Sequence, residues 1–286
     1  MKIRSFAKIN LGIEVLGKRE DNYHDIRTLF QAIDLFDILE FRPTAEEAIR
    51  LSGTDGAIPW DERNLVFRAA DLLKQMYQRD CGVEIRVVKN IPAGKGLGGG
   101  SANAAMTLYA LNGLWDLRLS RAELHLAAVK LGADVPFFLE GGLCLGEARG
   151  DAVTALPDLP CLYCVLVLPS FPIMTAEIYG RLRLTSAGKE SKISQFLAQR
   201  DLGLLENRLE EAVFSLYPRL KAIKSFFHQR EAVLSLVTGT GSAVFGLYRE
   251  KDKAERALAE IKKTEDAILV KTLSRERYWK RVTAGV

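Results

Sequence analysis

Ile91-Pro92-Ala93-Gly94-Lys95-Gly96-Leu97-Gly98-Gly99-Gly100-Ser101-Ala102-Asn103-Ala104-Ala105 is the stretch that decides how this 286-residue chain is read. Five glycines fall between positions 94 and 100. Glycine lets the backbone take positive φ and lets a ligand approach the main chain. Upstream, Val83, Ile85 and Val87 alternate with Glu84, Arg86 and Val88, the period of a strand. Downstream, Ala104, Leu108, Leu111 and Trp115 recur at helical spacing. A strand, a glycine loop and a helix start in series make an anion site. The first-turn N–H groups are unpaired there, and the helix dipole favours negative charge. A nucleotide phosphate is the guest this predicts. Gly94, Gly96 and Gly99 also satisfy the G-x-G-x-x-G of a dinucleotide fold, which expects a strand after the helix. Here Ser120 and Glu123 form a capping box, so a second helix follows instead. A Walker loop is excluded because no Gly-Lys-Ser/Thr opens the helix.

Length suggests two domains, and 48% hydrophobic residues are enough for substantial cores. A net charge of +4 without a long basic run argues against nucleic acid as the main partner. No apolar run approaches bilayer length, and Met1-Lys2-Ile3-Arg4-Ser5-Phe6 lacks a signal-peptide core. Cys161 and Cys164 have no second pair to complete a zinc site. They read as inert core cysteines on a strand over 161–168, in a reducing cytoplasm.

From the amino end, Ile9, Leu11, Ile13 and Val15 face one way, and Lys8, Asn10, Gly12 and Glu14 the other. Lys8 and Asn10 therefore share one polar strand face, either exposed on a half-buried sheet or functional. Tyr23-His24 follows a polar turn; strands at 29–33 and 38–41, joined by turns, come next. Asn64 is placed to cap a helix carrying Leu65, Ala69, Leu72, Leu73 and Met76 on one face. After the capping-box helix stops at Gly132, Asp134 stands alone in Ala133-Asp134-Val135-Pro136-Phe137-Phe138. Pro136 is expected to push Val135 out of helical geometry. Asp134 reads either as a structural cap or as a reactive group. Residues 148–160 read as the crossing between domains. The second half predicts a polar stretch at 185–200, helices near 205–216 and 219–229, and a strand at 233–237. A second glycine loop, Thr238-Gly239-Thr240-Gly241-Ser242, precedes a strand at 243–248, a helix at 251–263 and a closing strand at 267–272. Strands and helices mix without a strict βαβ repeat, so the class is α+β.

Taken in order, Ala7-Lys8-Ile9-Asn10-Leu11, Gly17-Lys18-Arg19 with Tyr23-His24, the glycine stretch, Gly132-Ala133-Asp134-Val135-Pro136 and the 238–242 loop resemble the small-molecule kinase superfamily of galactokinase, homoserine kinase and mevalonate kinase. More narrowly they resemble its 4-diphosphocytidyl-2-C-methyl-D-erythritol kinase family, over nearly the whole chain. The resemblance implies a ribosomal S5 domain 2-like N-terminal domain at 1–156 and a ferredoxin-like C-terminal domain at 157–286, with the site between them. It implies ATP-dependent phosphorylation of the 2-hydroxyl of the methylerythritol moiety, in the non-mevalonate route to isoprenoid precursors. Asp134 is then the base and Lys8 its partner. ATP, with Mg²⁺ bridging its phosphates, is held by Pro92, Ala93, Gly94, Lys95, Gly96, Leu97, Gly98, Gly99, Gly100, Ser101 and Ala102, flanked by Asn64, Leu65 and Lys89. Substrate contacts fall to Asn10, Tyr23, His24, Tyr179, Gly239, Thr240 and Gly241, with Tyr23 and Tyr179 stacking on the two faces of cytosine. No protein metal ligands are implied. A cytoplasmic monomer or weak homodimer acting on small molecules, without membrane or nucleic-acid partners, is the expected setting. Asn22, Lys95, Ala102 and Val237-Thr238 depart from the family pattern. Two other readings stay open: a sibling alcohol kinase, and a non-catalytic nucleotide-binding protein or dinucleotide-dependent oxidoreductase.

Overall fold

The computed structural model describes residues 1–21, 23–77, 81–182 and 191–284. Its first sheet is built on two long strands, β1 (Lys2–Lys18) and β2 (His24–Thr44), antiparallel along nearly their whole length. The other edge of β2 is shared. Its far half pairs β4 (Gly82–Val88), itself paired with β3 (Ile49–Gly53), and its near half pairs β5 (Leu143–Glu147), followed by β6 (Ala152–Ala155). The segments expected as two strands at 29–33 and 38–41 are one continuous strand. Phe6 pairs Phe36 while Ala7 pairs Ile33, so Asp34 and Leu35 form a bulge that looks like a turn in sequence.

Helices α1 (Leu65–Tyr77), α2 (Gly99–Leu114), α3 (Arg121–Leu131) and the single turn α4 (Val135–Phe138) cover this sheet. α1 is capped as expected, its Val66 N–H donating to Asn64 Oδ1 at 2.9 Å. Its buried face is Val66, Ala69, Ala70 and Leu73, slightly rotated from the predicted one, with Met76 exposed. α2 is apolar on nearly every side and rich in alanine, and it lies among β1, β2, α1, α3 and α4. The capping box on α3 is present with both reciprocal bonds. Pro136 does not expel Val135 from helical geometry. It opens α4 near its start, where a missing N–H does no harm.

The second sheet has the order β10-β7-β9-β8, all antiparallel, from β7 (Tyr163–Val167), β8 (Leu234–Val237), β9 (Val244–Tyr248) and β10 (Ala267–Lys271). The strand expected at 161–168 begins only at Tyr163. It leaves Cys161 exposed and Cys164 buried, where burial pushes its thiol far above the usual range. α5 (Thr175–Gly180), α6 (Lys192–Gln199), α7 (Glu210–Leu216), α8 (Pro218–Gln229) and α9 (Lys251–Ile261) complete the helices of this half. The helix expected from 205 starts at Glu210, after a 3₁₀ turn at Leu202–Leu204. Of the polar stretch read at 185–200, residues 185–190 lie outside the described residues, as does Asn22, and 192–199 form α6. The strand at 267–272 does not close the chain. α10 (Arg275–Thr283) follows and turns back to the first sheet, where Tyr278 is fully buried beside Phe6.

Among the described residues three apolar clusters result. One lies beneath the first sheet, with Phe6, Phe30, Phe41, Leu108, Phe137 and Tyr278; one lies beneath the second, with Val165, Ile223, Phe227 and Val244. The third joins them, bringing Ala7, Ile9 and Leu11 of β1 against Cys164, Leu166 and Phe245. The apolar face of β1 is thus spent on the junction between the two halves. Its polar face, Lys8, Asn10 and Glu14, is also buried. Among the described residues no helix is long and apolar enough to cross a membrane.

Candidate active site

The glycine stretch forms a loop that ends at the first turn of α2. Gly98 is the residue before the helix, with φ 69° and ψ 18°. Only glycine takes this left-handed conformation without strain. A Cβ there would also lie 2.7 Å from Cζ of Phe138 and 3.1 Å from Cγ of Lys8. The loop is held from several sides. Lys8 N–H donates to Leu97 O at 3.0 Å, so the free edge of β1 is paired by the loop itself. Thr238 Oγ1 donates to Gly96 O at 3.1 Å, and Ala243 N–H to Lys95 O at 3.2 Å. The entry is fixed by Asp37, fully buried on β2, whose Oδ1 accepts the N–H groups of Asn90 (2.7 Å) and Ile91 (2.8 Å) while Oδ2 pairs with Lys89.

A cleft of about 380 Å³ opens over this loop. Its lining joins Asn64, Leu65, Lys89 and residues 92–101 of the expected nucleotide set; Ala102 is buried behind it. Ile58, Pro59, Trp60, Arg63 and Asn103 line it too and were missed from sequence. The first four sit in an irregular segment with no periodicity. Asn103 is buried, its Oδ1 without a hydrogen-bond partner. Lys95, an intruder by sequence pattern, is half explained. Its ammonium is buried and donates to the carbonyls of Pro169 and Phe171 (2.8 Å to the latter), tying the glycine loop to the start of the second half. Burial pushes its pKa below the usual lysine value.

At the α2 end of the cleft the two expected catalytic groups meet. Lys8 Nζ lies 3.3 Å from Asp134 Oδ2. The lysine side chain is 5% exposed and the aspartate 35%, so the carboxylate faces open space while the cation is enclosed. Asp134 sits at the residue before α4, and its side chain caps nothing, which removes the structural-cap reading. Asn10 Oδ1 accepts from Lys8 Nζ at 2.6 Å, and Asn10 Nδ2 donates to Thr28 Oγ1 at 2.8 Å. Gly239 lies against the same spot: a Cβ there would be 3.5 Å from Asn10 Oδ1. Asn207, another residue the sequence did not signal, donates to the carbonyls of Val237 (2.9 Å) and Gly239 (2.8 Å) and shapes this second glycine loop. Thr240 Oγ1 lies 3.2 Å from Thr175 Oγ1 at the start of α5. Gly241 packs against Val237 and Ile173.

On the other side, Tyr179 of α5 comes to the acid. Burial, and next the Asp134 carboxylate, push its phenol up to about 12. Its ring lies 4.9 Å from that of His24, centroid to centroid, at 33°. Burial and then the Lys18 charge hold the His24 imidazole below its usual value, which keeps it neutral at pH 7. Tyr23 points elsewhere. It is 58% exposed, with the Arg149 guanidinium 5.4 Å over its ring. The structure therefore brings Lys8, Asp134, Asn10, His24 and Tyr179 together and leaves Tyr23 outside that group.

The chain matches the family model "GHMP kinases N terminal domain" over residues 64–142, and "GHMP kinases C terminal" over 187–267. It is 43% identical over 260 residues to the 4-diphosphocytidyl-2-C-methyl-D-erythritol kinase of Syntrophus aciditrophicus (strain SB), covering 90% of this chain and 93% of that protein. The chain belongs to this kinase family. The kinase of the same name from Chlorobium limicola is 40% identical over 266 residues, with 90% of this chain and 92% of that one covered. A crystal structure of a 4-(cytidine 5'-diphospho)-2C-methyl-D-erythritol kinase superposes with a TM-score of 0.82 at 33% identity, covering 95% of this chain and 99% of that one. The homoserine kinase of Cytophaga hutchinsonii, at 21% identity and a TM-score of 0.72, shares the fold alone. This family membership makes the protein a phosphotransferase of the two-domain α+β kinase fold. The dinucleotide alternative also loses its physical basis, because α2 is followed by α3 and not by a strand.

Proposed function

We propose that the protein transfers the γ-phosphoryl group of ATP to the 2-hydroxyl of 4-diphosphocytidyl-2-C-methyl-D-erythritol, acting as a cytoplasmic enzyme on small molecules. The observation that carries this is the Lys8–Asp134 pair, 3.3 Å apart, standing between the α2 N-terminus and the His24–Tyr179 pair. Phosphoryl transfer asks chiefly for positioning and charge stabilisation. The positive-φ glycine loop and the first-turn N–H groups of α2 are suited to the β- and γ-phosphates. Asn64, Leu65 and Lys89 at the far side of the cleft would take the base and ribose.

Asp134 would accept or orient the proton of the acceptor hydroxyl, worth typically ~10²–10⁴-fold. As the new P–O bond forms and the bond to ADP breaks, Lys8 would offset charge on the transferred group. Asn10, His24 and Tyr179, with Gly239, Thr240 and Gly241, would border the acceptor, and Tyr23 would join when substrate draws it inward. Mg²⁺ takes oxygen ligands, and bound with the nucleotide it would supply charge neutralisation. A protein oxygen that would suit such a cation is the Ser101 hydroxyl, which lines the cleft at the start of α2. Among the described residues there is no group of three or more His, Cys, Asp or Glu placed to hold a metal.

The test is a coupled ADP-release assay with the cytidyl substrate, homoserine and mevalonate as acceptors, and phosphorus NMR of the product. Turnover confined to the cytidyl substrate, with phosphate on the 2-hydroxyl, is expected. Preference for another alcohol would replace this reading with that of a sibling kinase.

A further inference from the structure

Thr28 lies on β2, opposite Ile13 of β1 and Gly146 of β5, and is wholly buried. It touches neither the nucleotide cleft nor open solvent. Its hydroxyl has one proton to give. That proton goes to Gly12 O, 2.9 Å away, where the β1–β2 ladder slips by a residue between Asn10 and Gly12. Thr28 Oγ1 can then only accept, and what it accepts is Asn10 Nδ2–H at 2.8 Å. The two ends of an asparagine amide are chemically opposite: NH₂ donates and the carbonyl accepts. With the NH₂ end taken by Thr28, the Oδ1 end faces Lys8 Nζ at 2.6 Å. Reversed, the amide would set two donors, NH₂ and ammonium, against each other in a buried site.

We propose that Thr28 is a positioning residue that fixes the direction of the Asn10 amide and so holds Lys8 beside Asp134 for phosphoryl transfer. This rests on the catalytic reading of Lys8 and Asp134 given above. The chain of control runs from Gly12 O through Thr28 and Asn10 to Lys8. Thr238 supports it from the other half of the molecule: its Oγ1 accepts the Asn10 backbone N–H at 3.1 Å. Thr28 is wholly buried, and its hydroxyl is engaged on both sides, donating to Gly12 O and accepting from Asn10 Nδ2.

Thr28→Val keeps the shape, replaces the hydroxyl with a methyl and leaves the Asn10 NH₂ without an acceptor. It is expected to lower kcat by roughly 10- to 100-fold while KM for ATP and for the cytidyl substrate stays within about twofold. Thr28→Ser, which keeps the hydroxyl and loses the methyl, is expected to restore kcat to within about threefold of wild type. In an Asn10→Ala background Thr28→Val should change kcat no further, because there is no amide left to direct. Should Thr28→Val fail to fold, Thr28→Ala leaves the same amide unpaired and carries the same comparison. Wild-type kcat in Thr28→Val, a loss in KM alone, failure of Thr28→Ser to rescue, or full additivity with Asn10→Ala would overturn the inference. Asp134→Asn is measured alongside. If that variant keeps wild-type kcat, the catalytic reading itself falls; if it is inactive and Thr28→Val is not impaired, only the role of Thr28 does.

Discussion

Replacing Gly98 with alanine adds a single methyl group where the glycine loop, Lys8 and α4 converge. Gly98 has φ 69°, and an L-residue in this left-handed region costs about 1–2 kcal/mol. The methyl would stand 2.7 Å from Cζ of Phe138, a distance at which one of the two must move. Phe138 is fully buried and packed on Phe137, so its ring has no solvent to swing into. Overpacking of this kind typically costs ~1–3 kcal/mol. Together these give a destabilisation of roughly 2–5 kcal/mol. At about 2–4 °C per kcal/mol for a chain of this size, the melting temperature should fall by roughly 4–20 °C. The same methyl reaches 3.1 Å from Cγ of Lys8, so kcat should fall by at least ~10-fold as the lysine is displaced. Gly100→Ala is the internal control. Its Cβ would meet only Leu65 Cδ1, at 3.8 Å, and a helical alanine gains roughly 0.5–1 kcal/mol over glycine. Thermal denaturation and steady-state kinetics on both variants decide the matter. Equal melting temperatures and equal kcat for Gly98→Ala and wild type would refute the argument that this position is closed to a side chain.

Three further outcomes are expected. Asp134→Asn should keep the fold and nucleotide affinity and lose at least ~10²-fold in kcat, by steady-state assay and isothermal titration. Tyr179 holds its proton to about pH 12 in the folded state against 10.0 for a free phenol, so its contribution to stability is full below pH 10.0 and is lost as pH rises to about 12. Urea denaturation across that window should therefore show a shallower alkaline decline in Tyr179→Phe than in wild type. Lys95→Met should destabilise by ~1–3 kcal/mol, because the Pro169 carbonyl loses its donor while Phe171 O keeps Ser242 Oγ at 2.6 Å. Chemical denaturation that finds Lys95→Met as stable as wild type would show that the tie between the glycine loop and residues 169–171 contributes nothing.

The parts of the site that were legible in sequence are those governed by local chemistry. The glycine loop, the Asn64 cap, the Ser120–Glu123 capping box and the alternation of Lys8 and Asn10 follow from neighbours a few positions apart, and each stands in the structure. Asp134 was visible as a lone acid in an apolar turn, while its partner Lys8, 126 positions away by residue number, could be named only through the family resemblance. What stayed hidden depends on distant contact. Asp34 reads as a turn until the β1 register makes it a bulge. The contact between the Tyr179 and His24 rings is set by the packing of α5 and leaves no local mark in sequence. Trp60 and Arg63 carry no periodic signal, because a cleft wall built from irregular chain needs none. Lys95 gave no hint of its carbonyl partners, since two backbone oxygens more than seventy positions away leave no mark on composition.

The return of α10 to the first sheet ties the far end of the described chain to the turn that presents Asp134. Tyr278 Oη donates to Phe138 O at 2.7 Å across 140 positions of sequence, and Trp279 Nε1 donates to Glu140 O at 3.0 Å. These two rings brace the exit of α4, the turn that presents Asp134. Everything between, including the whole second sheet, is an excursion from a core whose first strand comes early in the element order and whose brace comes late. A nascent chain that has completed β1 to β6 holds every residue of the glycine loop and the Lys8–Asp134 pair, yet lacks the wedge that clamps the turn beneath the acid. The candidate site is thus braced by residues that lie far beyond it in sequence. The turn beneath the acid is closed only where residues 278 and 279 reach it.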